Sequence, residues 1–121
     1  MARSKPLAED LLPLTPVVLH ILLALADGAR HGYGIAQDVE ELTEGQVRLG
    51  PGTLYGSLLR MVKTGLIDHA AAGNPDPDDE RRRYYRITPF GRKTLELELQ
   101  RMSRVVAHAR RKELMRAPRP A

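Results

Sequence analysis

Two groups of residues in this 121-residue chain carry side chains suited to holding a polyanion. Arg81, Arg82, Arg83 and Arg86 surround Tyr84 and Tyr85, while Thr53, Ser57, Arg60 and Lys63 follow Gly52 at intervals close to one helical turn. Arginine and lysine neutralise phosphate oxygens, hydroxyls donate to them, and the arginine fork also matches the edge of guanine. Tyr33, set between Gly32 and Gly34, adds a phenol that can reach a phosphate. Catalytic equipment is missing by comparison. The chain has no Cys, which removes thiol nucleophiles, thiolate metal sites and disulfides. His20, His31, His69 and His108 stand singly, without the paired spacing of metal ligands. The carboxylates lie in loops or on polar helix faces with no apolar pocket to tune an acid/base pair. The glycines lack the spacing of a P-loop or dinucleotide fingerprint. No catalytic residue, no metal site and no cofactor is expected, and the chain reads as a binding protein rather than an enzyme.

The elements that must position these groups follow from local signals. Residues 1–14 mix charges with Pro6 and Pro13 and predict an irregular arm with a short helical turn over 7–12. Thr15 is a good N-cap, Pro16 suits the first helical position, and the apolar run 17–26 ends at Asp27 and Gly28. A second helix, amphipathic through Ile35, Ala36, Val39 and Leu42, ends near residues 43–45. Alternation over 46–49 predicts a stub of strand, after which Pro51 opens a third helix that Gly65 closes. In that helix Leu54, Leu58, Met61 and Val62 form the buried face, and Thr53, Ser57, Arg60 and Lys63 are expected opposite them. Gly52 and Gly56 would let its backbone approach DNA closely. Residues 66–71 and 82–88 read as two strands of a wing joined by an acidic, turn-rich tip. On the second of these Tyr85 and Ile87 face inward, leaving Tyr84 outward with Arg82 and Arg86. Thr88 and Pro89 repeat the cap-and-proline start of a last helix running to about residue 115.

Helix, helix, stub, helix, strand, strand is the element order of a winged helix-turn-helix, whose third helix enters the major groove while the hairpin reaches the flanking backbone. The expected fold is therefore mainly α with a small β-hairpin wing: an arm over 1–14, a DNA-binding unit over 15–88, a dimerisation helix over 89–117 and a disordered tail over 118–121. Runs within this frame resemble the PadR family of bacterial transcriptional regulators. They are His31-Gly32-Tyr33-Gly34-Ile35, Gly52-Thr53-Leu54-Tyr55 with Leu58, Gly65-Leu66-Ile67, and Arg83-Tyr84-Tyr85-Arg86-Ile87-Thr88 with Gly91. The resemblance covers roughly residues 15–95 and implies a homodimeric DNA-binding protein, usually a repressor, that a ligand can release from DNA. The acidic stretch 74–80 departs from the commoner pattern of that family.

The last helix repeats Leu95, Leu99, Met102, Val106 and Ala109 at spacings of four and three, a seam of a little over two heptads fit for a two-fold dimer. The expected partners are double-stranded DNA carrying a pseudo-palindromic operator, a second copy of the chain, and a small-molecule effector at the dimer interface. Charge agrees only in part. The formal net charge is +4, yet residues 1–88 hold ten basic and twelve acidic groups, so the excess lies on the last helix and tail. Arg101, Arg104, Arg110, Arg111, Lys112 and Arg116 there are expected to solvate the helix. The apolar run 17–26 is far short of the roughly 20 residues of a membrane span, and the first residues lack the apolar core of a signal peptide. A cytoplasmic protein without membrane contact is expected. A winged-helix module that binds only protein is the alternative.

Overall fold

The structure is a computed structural model and describes residues 7–70 and 83–116. The first helix, α1 (Pro16–Leu25), starts as expected: the Thr15 hydroxyl accepts the Val18 N–H at 3.3 Å, and Pro16 occupies the first turn. It buries Leu19, Ile21, Leu22, Ala24 and Leu25, and His20 is satisfied locally by the Pro16 carbonyl at 2.7 Å. Helix α2 (Gly32–Leu42) lies against it and contributes Ile35 and Val39 to the core.

The expected strand at 46–49 does not form. The chain instead turns sharply after α2, with Glu44 and Gly45 at φ 53 and 80, and the Val47 N–H bonds the Thr43 hydroxyl at 3.0 Å. The short strand is β1 (Arg30–His31), ahead of α2, and it pairs with β3 (Tyr84–Ile87). Strand β2 (Ile67–Ala70) pairs antiparallel with the other edge of β3, placing β3 in the middle of a three-stranded sheet. The wing tip, with Arg81 and Arg82, lies outside the described residues, as does the tail at 118–121.

Helix α3 (Pro51–Thr64) ends where predicted, because Gly65 adopts φ 86 and the Leu66 N–H returns to the Met61 carbonyl at 3.0 Å. Helix α4 (Pro89–Arg111) is 23 residues long, or about 34 Å. Its cap, Thr88, accepts the Gly91 N–H at 2.9 Å and donates to the Gly65 carbonyl, so the helix start is tied to the junction of α3 and β2. The helix stops at Arg111, a turn earlier than expected, with Glu113 at φ 60. The arm is more ordered than expected: a 3₁₀ turn (Ala8–Leu11) lies against α4 and buries Ala8. Among the described residues no helix is long and apolar enough to cross a membrane, and no group of three or more His, Cys, Asp or Glu is placed to hold a metal ion.

Candidate nucleic-acid interface

The outward face of α3 is rotated from the one expected. Leu54, Leu58 and Met61 are buried, but so is Ser57, at 4% exposure. At about 100° per residue Ser57 lies only about 40° from Met61, and its small side chain fits where α3 faces the start of α1. Its hydroxyl accepts Arg60 Nη2 at 3.3 Å, which makes it a support for Arg60 rather than an outward contact. Gly52, Thr53, Arg60 and Lys63 are exposed as expected. Among the described residues no carboxylate pairs with Arg60 or Lys63. The centre of the exposed face runs Gly52, Gly56, Leu59, Lys63, with Arg60 and Thr53 on one flank and Tyr55 on the other. Leu59 was not foreseen. The available signal was that Leu58 and Leu59 stand about 100° apart on a helix, so one of them had to leave the core.

Helix α2 and the wing meet beside this face. His31 caps α2 by accepting the Gly34 N–H on Nδ1 at 3.0 Å. Its ring stacks on Tyr33 with centroids 6.4 Å apart and takes the edge of Tyr84 at 5.6 Å. Tyr33 and Tyr84, remote in sequence, thus flank one histidine. Tyr33 is 63% exposed, whereas Tyr84 is only half-buried and Tyr85 enters the core as predicted. Gly32 is required by packing: a Cβ there would sit 2.9 Å from the Tyr55 ring.

Arg86 is exposed but engaged. Register sets it directly across from Asp68, and its guanidinium meets that carboxylate at 2.7 and 3.4 Å. The hydrogen bond that Arg86 donates to Asp68 raises the Arg86 pKa above its ordinary value. Arg83 is half-buried and borders a hollow of about 250 Å³ between α3 and the wing, together with Tyr55, Leu59 and His69. Arg82 belongs to the residues outside the description.

On α4 the expected seam divides. Leu95 is 4% exposed and packs into the chain's own core, because the first half of α4 lies across α1 and β3. Leu99 and Met102 are exposed, Val106 and Ala109 half-buried, and Val105 joins them as an exposed apolar neighbour. Arg101 does not merely solvate the helix. It bonds the buried carboxylate of Glu98, which also accepts the Leu14 N–H at 2.7 Å and so pins the arm to α4. The Arg101 hydrogen bond holds the Glu98 carboxyl below the usual glutamate range, against the opposing effect of burial.

Helices α1 to α3 and the three-stranded sheet have the architecture of winged helix-turn-helix DNA-binding proteins. Residues 21–97 match the profile of the transcriptional regulator PadR-like family, and the chain belongs to that family. It is thus a member of a family of transcriptional regulators, not of enzymes. Transcriptional regulator Rv3488 of Mycobacterium tuberculosis is 40% identical over 79 residues, which is 65% of this chain and 68% of that one. An uncharacterized 37.1 kDa protein in transposon TN4556 of Streptomyces fradiae is 40% identical over 85 residues, 70% of this chain but only 22% of that protein. The fold is similar to that of a PadR family transcription regulator from Clostridium difficile R20291, with TM-score 0.66 and 27% identity over 80% of this chain and 97% of that one. It is also similar to RosR of H. salinarum, with TM-score 0.65 and 30% identity over 86% and 88%.

Proposed function

We propose that this chain is a cytoplasmic, sequence-specific regulator that binds a pseudo-palindromic double-stranded operator as a homodimer, acting as a repressor that a small-molecule effector releases. The observation that carries the reading is the exposed face of α3, where Arg60 and Lys63 have no acidic partner among the described residues. Gly52 and Thr53 lie at its N-terminus, where backbone N–H groups favour phosphate oxygens. Arg60 and Lys63 are the candidates for a guanine edge or phosphate. Tyr33 and Tyr84, together with Arg82, Arg83 and Arg86 of the wing, take the flanking backbone.

One winged unit, residues 15–88, reads too few base pairs to be selective, and a two-fold dimer would read two half-sites about one helical turn, or ~34 Å, apart. The apolar stripe on α4 of exposed Leu99, Met102 and Val105 with half-buried Val106 supports pairing there, within the proposed dimerisation segment 89–117, and an effector at that interface would alter the spacing of the two units. The test is a titration against DNA upstream of the chain's own coding region over a salt series. The expected result is a preference over bulk DNA and an affinity that falls with salt as counterions are released. Arg60→Ala should weaken binding by ~1 to 3 kcal/mol. Affinity indifferent to both sequence and salt would favour a module that binds only protein.

A further inference from the structure

The outward face of α3 has an unusual composition for a solvated helix. Its centre is Gly52, Gly56, Leu59 and Lys63, each about one turn from the next. Among the described residues, a Cβ at Gly52 would meet nothing within 4 Å, and one at Gly56 would meet only the Arg60 guanidinium at 3.4 Å. Packing among the described residues therefore requires neither glycine, and each weakens the helix relative to alanine. A missing side chain at these points instead lets an outside surface come up to the helix backbone. Leu59 is the apolar side chain that such a surface would meet, and it is 57% exposed. It stands at the rim of the hollow between α3 and the wing, with Arg83 and His69 across from it.

The charge around Leu59 selects the occupant. Lys63 and Arg60 share its helix face, so the surface that settles there is a polyanion. The apolar group that duplex DNA presents in its major groove is the C5-methyl of thymine, and apolar side chains read it by contact. We infer that Leu59 is a base-reading residue, seated on a thymine methyl in each half-site, with Gly52 and Gly56 allowing α3 to come close enough for that contact. The inference rests on the reading of the chain as a sequence-specific DNA-binding protein and adds which base feature α3 recognises.

The experiment uses the full chain and an operator fragment recovered by selection from its own genome. Thymines are replaced by uracil at symmetric positions, two at a time, which removes the methyl group and leaves base pairing unchanged. At one pair of positions the parent protein should lose about fourfold per methyl, or roughly fifteenfold for both half-sites, from the burial value of one methyl group. Leu59→Ala should bind the thymine operator more weakly and show less than about a twofold response to the same replacement. Leu59→Met, which keeps an apolar tip, should retain most of the discrimination. The exposed position makes all three proteins comparable in fold, and their thermal melts check this. The inference is overturned if no uracil replacement affects the parent, or if Leu59→Ala loses the same factor as the parent at every position. Failure to select any fragment, with no salt-sensitive binding to bulk DNA, would overturn the DNA-binding reading itself.

Discussion

Replacing Gly91 or Gly56 by alanine adds the same methyl group to a helix, yet the two changes should move stability in opposite directions. Gly91 lies in the first turn of α4, where the helix crosses the start of β2. A Cβ there would stand 2.0 Å from the Leu66 carbonyl oxygen, 2.9 Å from its carbon and 3.1 Å from Ile87 Cγ1. A carbon–oxygen contact needs about 3.3 Å, so α4 would have to withdraw by roughly 1.3 Å. That withdrawal stretches the Thr88 cap on the Gly91 N–H and the Thr88 hydroxyl bond to Gly65, which together hold α4 to the α3 and β2 junction. Overpacking of this kind costs about 1 to 3 kcal/mol, and each weakened hydrogen bond adds about 1 kcal/mol. The better helix propensity of alanine returns about 1 kcal/mol, leaving a net loss of roughly 3 kcal/mol.

For a chain of this size that loss lowers Tm by about 10 °C. At Gly56 the added methyl meets, among the described residues, only a flexible guanidinium, so alanine should raise stability by up to about 1 kcal/mol, or about 3 to 4 °C. Because its methyl points outward from α3, the same substitution should weaken operator binding. Circular-dichroism melts at one fixed protein concentration give both shifts, since the Tm of an associating protein depends on concentration. A Gly91→Ala melt within 2 °C of the parent would refute the packing argument at the α4 junction. A destabilised Gly56→Ala would refute the claim that this face of α3 is open.

Three further outcomes follow from named contacts. Glu98 has a lowered folded-state pKa, so its contribution is present above the ordinary glutamate value of about 4.3 and is lost as pH falls below it. Glu98→Gln should thus cost about 1 to 3 kcal/mol at neutral pH, with the gap to the parent closing below about pH 4; a gap that stays constant in urea unfolding from pH 7 to 3.5 would remove the Arg101 contact as its cause. On DNA, Arg86 should exchange the Asp68 carboxylate it meets at 2.7 Å for a phosphate, so Arg86→Ala should make the salt dependence of DNA binding shallower by about one contact. An unchanged slope would take Arg86 out of the interface. Glutamate at both Leu99 and Met102 should yield monomers in sedimentation with the helical content retained, whereas glutamate at the buried Leu95 should unfold the chain; a dimer that survives the double change would place the interface elsewhere.

Much of the fold was legible because its signals are local. Thr15 with Pro16 and Thr88 with Pro89 mark helix starts through bonds that span three residues, and Gly65 marks a stop through its own backbone conformation. The inward Tyr85 followed from alternation along a single strand. The misplaced strand shows where such signals end: residues 46–49 alternate well enough, but a strand exists only where a partner edge is free, and β3 offers that edge to Arg30 and His31. The short helical turn of the arm was legible, but its docking on α4 was not, since that comes from a carboxylate 84 positions away.

The sequence by itself determined the type of protein. The runs around Tyr33, Thr53, Gly65 and Tyr84, in their order, specified a winged helix-turn-helix of the PadR-like family, a family of transcriptional regulators. Only the tertiary structure decided which side of each helix faces out. Periodicity fixes the angle between residues on a helix but not the angle at which neighbouring elements cover it. For that reason Ser57 and Leu95, polar and apolar, both went inward, Arg86 was drawn to Asp68 by strand register, and Leu59 was left standing on the open face of α3.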